Sequence, residues 1–140
     1  GLDDSADCWV MNSNKSPAFI AAREGYDVWL GNWRGNKYSR RHKTLDPDRD
    51  EKVFFNYSFI EMSRFDLRAM VDKVLECTKA SKLAYIGHSM GTTVMFYAMT
   101  TEPDYIEKKI SLFVALGPVA KLKNCNSNFI RKLSEVRAYA

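Results

Sequence analysis

Histidine and cysteine are scarce in this sequence, which has two histidines and three cysteines among its 140 residues. Cys8, Cys77 and Cys125 are widely separated, and no C-x-x-C pair occurs. Structural zinc sites take four ligands from closely spaced cysteines and histidines, so this set argues against such a site. The odd cysteine count leaves the redox compartment open.

Long apolar runs are also missing, because no stretch approaches the ~20 apolar residues of a transmembrane helix. The front of the chain carries no leader pattern of charge followed by an apolar core, and it opens on Gly1 rather than on methionine. We therefore expect the true N-terminus, with any signal peptide, to lie elsewhere. The residues present suit one globular domain at most, since 46% are hydrophobic and 13% are aromatic.

Turn signals and apolar periodicity divide the first part of the chain into a helix, a strand and a loop. The helix follows Ser16 and Pro17, an N-cap and first-turn pair, and it stops at Gly25. A β-rich run over 26–31 predicts a short buried strand. The polar and basic residues over 32–50 predict a loop.

The second part of the chain is also predicted to alternate between helices and strands. Ser58 and Glu61 form an S-x-x-E capping box, and apolar residues after it recur at helical spacing, which predicts a long helix. Strands over 82–86 and 110–116 flank a further helix over 91–101. Strands that alternate with helices of this length require right-handed crossovers, so the predicted fold class is α/β with a parallel sheet.

A G-x-S-x-G pattern stands where the strand over 82–86 gives way to the next helix, as Gly87-His88-Ser89-Met90-Gly91. This setting predicts a nucleophile elbow, a tight turn that exposes a strained serine above the sheet. The two glycines leave room where strand and helix come close together. The helix start also directs free amide groups at the place where an oxyanion would form. Ser89 is therefore the candidate nucleophile, and the simpler alternative is that it only caps the helix.

Five segments of the chain follow the order of one known family: "GLDDSADCWV" at the start, "GYDVWLGNWRGNKYSRRH" over 25–42, "SFIEMSRFDLRAMVDKVL" over 58–75, "YIGHSMGTT" over 85–93 and "ALGPVA" over 115–120. On these segments the chain resembles the acid lipase family of α/β-hydrolases, which contains the gastric and lysosomal acid lipases. The chain departs from the family at Met90, where glutamine is usual, and at Trp33, where serine is commoner. The histidine that usually precedes the family's first glycine is not present before Gly1.

The resemblance implies roles for particular residues. It implies Ser89 as the nucleophile and the backbone amides of Leu2 and Met90 as the oxyanion hole. It also implies that residues 1–120 form the N-terminal part of an α/β-hydrolase core with its elbow, and that residues 121–140 begin a cap region. The methionine side chain is no obstacle at this position, because the backbone amide does the work.

The base that such a serine needs is not evident, because no histidine follows Ser89. His88 adjoins the nucleophile on a sharp turn, and His42 lies among basic residues that disfavour its protonated form, so neither is expected to act as the base. The family keeps the order serine, acid, histidine along the chain, with both partners beyond the cap. We therefore expect a working enzyme to be longer, and this chain alone to be inactive.

The implied function is hydrolysis of a lipid ester through an acyl-enzyme. The implied substrate is a triglyceride or a sterol ester, met at a lipid interface, and nucleic acid is not an expected partner. No metal or organic cofactor is implied. Two N-x-S sequons begin at Asn14 and Asn56 and are candidate glycosylation sites, which favours a secreted or lysosomal protein.

Two other functions stay open. The net charge is +4, and the basic run "RGNKYSRRHK" over 34–43 suits a module that binds nucleic acid, a heparin-like polyanion or an anionic membrane surface. We favour a solvated loop, because the run falls within the lipase-like segments. The other alternative is a truncated, non-catalytic hydrolase, whose few strands would expose an unpaired edge and apolar faces.

Overall fold

The computed structural model describes residues 1 and 4–121. Its helices are α1 (Pro17–Arg23), α2 (Glu51–Phe54), α3 (Phe59–Glu61), α4 (Arg68–Thr78), α5 (Met90–Thr101) and α6 (Pro103–Lys109). Short 3₁₀ turns span Ala6–Trp9 and Ser13–Lys15, and a π-helical turn over Met62–Leu67 joins α3 to α4. The strands are β1 (Leu83–His88) and β2 (Ile110–Leu116). Among the described residues, no helix is long and apolar enough to cross a membrane.

The two strands pair in parallel, with α5 and α6 between them in the chain. The pairing continues to the carboxyl ends of both strands, where Gly87 lies opposite Ala115 and His88 opposite Leu116. A parallel pair requires a crossover, and here the two helices provide it. The predicted α/β class is therefore confirmed.

The core lies where α5 packs against the π-helical turn, and Val71 of α4 belongs to the same cluster. Val94 and Met95 of α5 have no exposed surface, and Leu67 and Val71 are at most 3% exposed. Trp33 packs against this cluster from the loop that precedes α2. The bulky residue that departs from the family's motif thus has a packing role, which anchors its loop on the core.

The capping box predicted at Ser58 is confirmed. The Ser58 N–H donates to a Glu61 carboxylate oxygen at 2.7 Å, and the Ser58 hydroxyl accepts from the Ile60 N–H at 3.1 Å. The hydrogen bond from the Ser58 backbone holds the pKa of Glu61 below its usual value. The box fixes the start of α3, and from there the chain remains helical to Thr78.

The strand predicted over 26–31 is wrong. This segment forms no ladder with another strand among the described residues, and its Tyr26 and Trp29 side chains are 72% and 46% exposed. β-propensity reflects fit against neighbours in a sheet, and a β-prone run without such a neighbour stays irregular. The end of α1 was predicted correctly, since Gly25 follows its C-cap with a φ of +90°.

The predicted cap over 121–140 lies outside the described residues, apart from Lys121.

Candidate active site

Ser89 occupies the turn between β1 and α5 in a backbone conformation that side chains rarely adopt. Its φ is +51° and its ψ is −116°. Lys79 also has a positive φ, but its ψ of +14° lies in the ordinary left-handed region. The φ and ψ angles of Ser89 lie outside the left-handed region and also outside the helical and β regions. This marks a strained backbone of the kind that recurs at functional sites. The strained turn expected from the sequence is therefore present.

The hydroxyl of Ser89 does not cap α5. A capping serine accepts a hydrogen bond from an amide in the first turn of its helix, and the Ser89 side chain makes no such bond. The turn is closed by backbone instead, because the Thr92 N–H donates to the Ser89 carbonyl oxygen at 2.9 Å. This arrangement disfavours the interpretation of Ser89 as a simple helix cap.

The surroundings of the two elbow glycines, Gly87 and Gly91, leave different amounts of space for a side chain. A Cβ atom placed on Gly87 would lie 2.8 Å from Tyr85 Cε1 and 2.9 Å from the Gly91 carbonyl oxygen. The nearest atom to a Cβ on Gly91 would be the Tyr85 hydroxyl oxygen at 3.5 Å, an ordinary contact. The close approach of strand to helix therefore requires glycine at position 87, whereas position 91 has room for a methyl group.

The end of β2 supports the turn. The Ser89 N–H donates to the Leu116 carbonyl oxygen at 2.9 Å, which extends the β1–β2 ladder by one residue. Tyr85 also supports the turn, since its hydroxyl donates to the Gly91 carbonyl oxygen at 3.0 Å. Burial raises the pKa of Tyr85, so its hydroxyl stays protonated and remains a donor. Nothing in the sequence pattern had pointed to Tyr85 or to Thr92, which also contacts the turn.

Of the two predicted oxyanion donors, Met90 and Leu2, the structure describes Met90. Met90 is the first residue of α5, half-buried, and its side chain packs against the hydrophobic core. Its amide is therefore at the positive end of a twelve-residue helix, where backbone N–H groups have no partner within the helix. Leu2 lies outside the described residues. The neighbouring Gly1 does lie beside the elbow, because a Cβ on it would be 3.4 Å from His88 Nδ1.

No hydrogen bond joins the side chain of either histidine to Ser89 in the described part of the chain. His88 is exposed and lies between Gly1 and Gly117 at the end of β1. The Nδ1 atom of His42 accepts hydrogen bonds from the backbone of Thr44 at 3.2 Å and Leu45 at 3.0 Å, so this ring stabilises its own loop.

Several basic side chains of the run over 34–43 form ion pairs with carboxylates of the same chain. Arg34 forms two short hydrogen bonds to Asp66, at 2.7 and 2.9 Å, and this contact raises the pKa of the guanidinium. Lys37 pairs with Asp7, and Arg40 pairs with Asp48 at 2.6 Å. Because three of its cations are held by carboxylates, the run suits a structured loop better than a polyanion site.

Two asparagines join this loop to the start of the chain. The Asn32 side-chain oxygen accepts from the Ala6 N–H at 2.9 Å and from Asn36 Nδ2 at 2.8 Å. The Asn36 side-chain oxygen accepts from the Tyr38 N–H at 3.0 Å. Backbone donors thus fix the orientation of both amides, which we call the asparagine lock. The lock holds residues that closely follow Leu2 in sequence, and the sequence pattern did not reveal it.

The two predicted glycosylation sites are both exposed at the asparagine. Asn14 lies in a 3₁₀ turn, and Ser16 of its sequon is fully buried. Asn56 lies between α2 and α3, and the Ser58 of its sequon is engaged in the capping box.

No group of three or more histidine, cysteine, aspartate or glutamate side chains that could hold a metal ion occurs within residues 1 and 4–121.

Comparison with known proteins agrees with this geometry. Residues 5–137 match the model of the alpha/beta hydrolase fold family. The chain is 47% identical over 135 residues to gastric triacylglycerol lipase of Mus musculus, and this match covers 96% of this chain and 33% of that protein. It is 46% identical over 127 residues to lysosomal acid lipase/cholesteryl ester hydrolase of Homo sapiens, covering 90% of this chain and 31% of that protein.

Lipase member M of Homo sapiens is 45% identical over 128 residues, which cover 91% of this chain and 30% of that protein. The chain thus spans about a third of the length of the curated relatives that it matches. The predicted resemblance to gastric and lysosomal acid lipases is confirmed. The family match extends over nearly the whole sequence, and the chain belongs to the alpha/beta hydrolase fold family.

Proposed function

We propose that this chain supplies the nucleophile and the oxyanion-hole amides of a lipid ester hydrolase. The observation that carries the proposal is the geometry of Ser89, whose strained turn lies at the start of α5 and whose hydroxyl is not used as a cap. The names of the relatives support the same reaction, since they include a triacylglycerol lipase and a cholesteryl ester hydrolase. We propose a triglyceride or a sterol ester as the substrate.

The proposed reaction has two steps. The Ser89 oxygen attacks the ester carbonyl carbon while its proton passes to a histidine, and the carbonyl oxygen becomes an oxyanion that accepts hydrogen bonds from the amides of Leu2 and Met90. The bond to the alcohol then breaks, and the histidine returns the proton to the leaving alcohol. Water attacks the acyl-enzyme in the same manner, which releases the fatty acid and restores Ser89.

The acid and the histidine of the triad are proposed to come from sequence outside these 140 residues. We call the chain continued through both of them the extended enzyme. The proposed chemistry requires no metal and no organic cofactor, because the serine, the histidine and the backbone amides account for each proton and charge.

The test compares three proteins on short p-nitrophenyl esters. We expect the extended enzyme to hydrolyse them, the extended enzyme with Ser89→Ala to lose at least about 10⁴-fold in kcat, and the 140-residue chain to be inactive. A fluorophosphonate probe should label only the extended enzyme with Ser89 present. Equal activity with and without Ser89 would refute the nucleophile, and an inactive extended enzyme would favour the non-catalytic alternative.

Substrate class and localisation need separate measurements. Emulsified triolein and cholesteryl oleate, given to the extended enzyme, distinguish a triglyceride lipase from a sterol esterase, and activation above the solubility limit would indicate action at a lipid interface. We further propose glycosylation at Asn14 and Asn56 in the secretory route or the lysosome. Treatment with an amidase that removes N-glycans should then shift the protein's mobility, and Asn14→Gln with Asn56→Gln should abolish that shift.

A further inference from the structure

Two threonines that follow the elbow connect it to the chain beyond β2. Thr92 lies in the first turn of α5 and has no exposed surface. Its hydroxyl donates to the Ser89 carbonyl oxygen at 2.6 Å, and the Val119 N–H donates to that hydroxyl at 2.9 Å. The Thr93 hydroxyl donates to the Val119 carbonyl oxygen at 2.7 Å. We call Thr92, Thr93 and Val119 the threonine clasp.

The direction of each hydrogen bond in the clasp is fixed. The Val119 amide is a donor, so the Thr92 hydroxyl must accept there, and its single proton is left for the Ser89 carbonyl oxygen. Because Thr92 is fully buried, water does not compete for these bonds, and a buried hydroxyl with both partners in place is rigid. The clasp therefore transmits the position of Val119 to the turn.

The clasp acts on the strained residue itself. Rare backbone conformations persist only where the surroundings hold them from more than one side. The peptide group before Ser89 is held by the Leu116 carbonyl oxygen, through the 2.9 Å bond from the Ser89 N–H. The peptide group after Ser89 is held by Thr92, through both its N–H and its hydroxyl. Among the residues that the structure describes, only this hydroxyl joins the second peptide group to a residue outside α5.

We propose that Thr92, assisted by Thr93, is a positioning residue that holds the Ser89 nucleophile in its attacking orientation. This inference rests on the proposed function, because it assigns the clasp a part in the reaction of Ser89. Thr92 does not touch the reacting atoms. It acts through the backbone of the turn, whose rotation would displace the Ser89 oxygen from the ester carbonyl.

The expected effect is on the chemical step. A displacement of about 1 Å between reacting groups reduces the rate by as much as ~10²-fold. A misplaced nucleophile lowers kcat, whereas substrate binding depends on surfaces that the clasp does not form. We therefore expect kcat to fall while KM stays the same, the pattern of an interaction that matters only in the transition state.

The experiment compares three single variants of the extended enzyme. Thr92→Val keeps the shape and removes the hydroxyl, and Thr92→Ser keeps the hydroxyl. Thr100→Val is the matched control, because the Thr100 hydroxyl also donates to the carbonyl three residues earlier in α5, at 2.8 Å from Tyr97, but it is exposed and remote from Val119. The concentration of active sites is titrated with a fluorophosphonate, so that kcat is given per folded site.

We expect Thr92→Val to lower kcat about tenfold with KM unchanged, and Thr92→Ser and Thr100→Val to stay within about twofold of the parent. A role in stability alone would reduce the titrated sites and leave kcat per site unchanged, which would overturn the proposal. So would a loss in Thr92→Ser as large as that in Thr92→Val.

If Thr92→Val does not fold, Thr93→Val decides, since it removes one bond of the clasp and leaves the turn itself intact. We expect about a threefold loss in kcat, and no loss would overturn the proposal. The failure of the proposed function has a different signature. It would be seen in the parent extended enzyme, as hydrolysis or labelling that does not depend on Ser89.

Discussion

The elbow and the loop over 32–50 are held in place by different chemistry. In the elbow, backbone hydrogen bonds hold both sides of Ser89, since its amide continues the strand ladder and its carbonyl accepts from the Thr92 amide, and the Tyr85 and Thr92 hydroxyls add to them. The loop is held by side chains, which include the Arg34–Asp66 pair and the asparagine lock. Backbone interactions are available to almost any sequence, whereas side-chain interactions depend on particular residues at distant positions.

The difference determines how each region should respond to substitution. In the elbow the sensitive feature is space, because two backbones approach each other closely at Gly87. In the loop the sensitive feature is the pairing of polar groups, since removal of one partner leaves the other unpaired. Three pairs of variants of the extended enzyme, each with its own control, and one single variant measured at different pH values test this contrast.

The largest effect is expected for Gly87→Ala. The added methyl group would meet the Gly91 carbonyl oxygen at 2.9 Å, a backbone atom that cannot move without displacing α5. We expect a loss of about 3 kcal/mol in the free energy of unfolding, measured by urea denaturation. Gly91→Ala is the control, because its methyl group has room and alanine favours a helix by up to about 1 kcal/mol. Equal losses in the two variants would contradict the unequal roles of the glycines.

A smaller effect is expected when the Arg34–Asp66 pair is broken. The Asp66 side chain is 14% exposed, so Asp66→Ala leaves a half-buried guanidinium without its main partner. We expect a loss of about 2 kcal/mol in the free energy of unfolding. Asp48→Ala breaks the exposed pair with Arg40 and should cost less than about 0.5 kcal/mol. A similar cost for both would mean that burial does not distinguish the two pairs.

The asparagine lock is tested by two variants with the same change of charge. Asn32→Asp keeps an oxygen that accepts from Ala6 and Asn36, so we expect a loss below about 0.5 kcal/mol. Asn36→Asp replaces the donor that faces Asn32 with an acceptor, and we expect a loss of about 1 to 2 kcal/mol. Thermal unfolding monitored by circular dichroism measures both, and the reverse order would disprove the assigned amide orientations.

The smallest effect concerns pH and the capping box. The Ser58 N–H holds the pKa of Glu61 below its ordinary value of 4.5, so the charged carboxylate stabilises the folded state. This contribution is complete above the ordinary pKa and is lost as the pH falls through the lower pKa of the folded state. We expect Glu61→Gln to cost about 0.5 to 1 kcal/mol at pH 7, and we expect this cost to shrink as the pH is lowered below 4.5. A cost that stays the same as the pH is lowered would assign the effect to shape rather than charge.

The elbow was predictable from sequence because its signals are local. The G-x-S-x-G pattern, the capping box at Ser58 and the apolar run of β2 each occupy consecutive residues, and the structure has a turn, a helix start and a strand there. The candidate nucleophile was therefore identified before its geometry was known. The turn's strain at Ser89 follows from the same few residues.

The remaining features were not predictable, because they join residues far apart in the chain. Asp66 meets Arg34 across 32 residues, and Val119 meets Thr92 across 27. A threonine after an elbow resembles any helical threonine until its second partner is known. The segment over 26–31 failed for the opposite reason, since its β-rich composition was clear but a strand also needs a neighbour.

The π-helical turn over Met62–Leu67 changes which side chains of this helical segment face the core. Met62 and Leu67 are both buried, yet five residues of a regular α-helix advance about 500°, which would leave the two side chains about 140° apart. A turn with i to i+5 bonding has more residues per turn, which brings residues five apart closer to the same face. The widened turn thus lets Met62 and Leu67 face one core, which a regular helix with the same number of residues between them could not do.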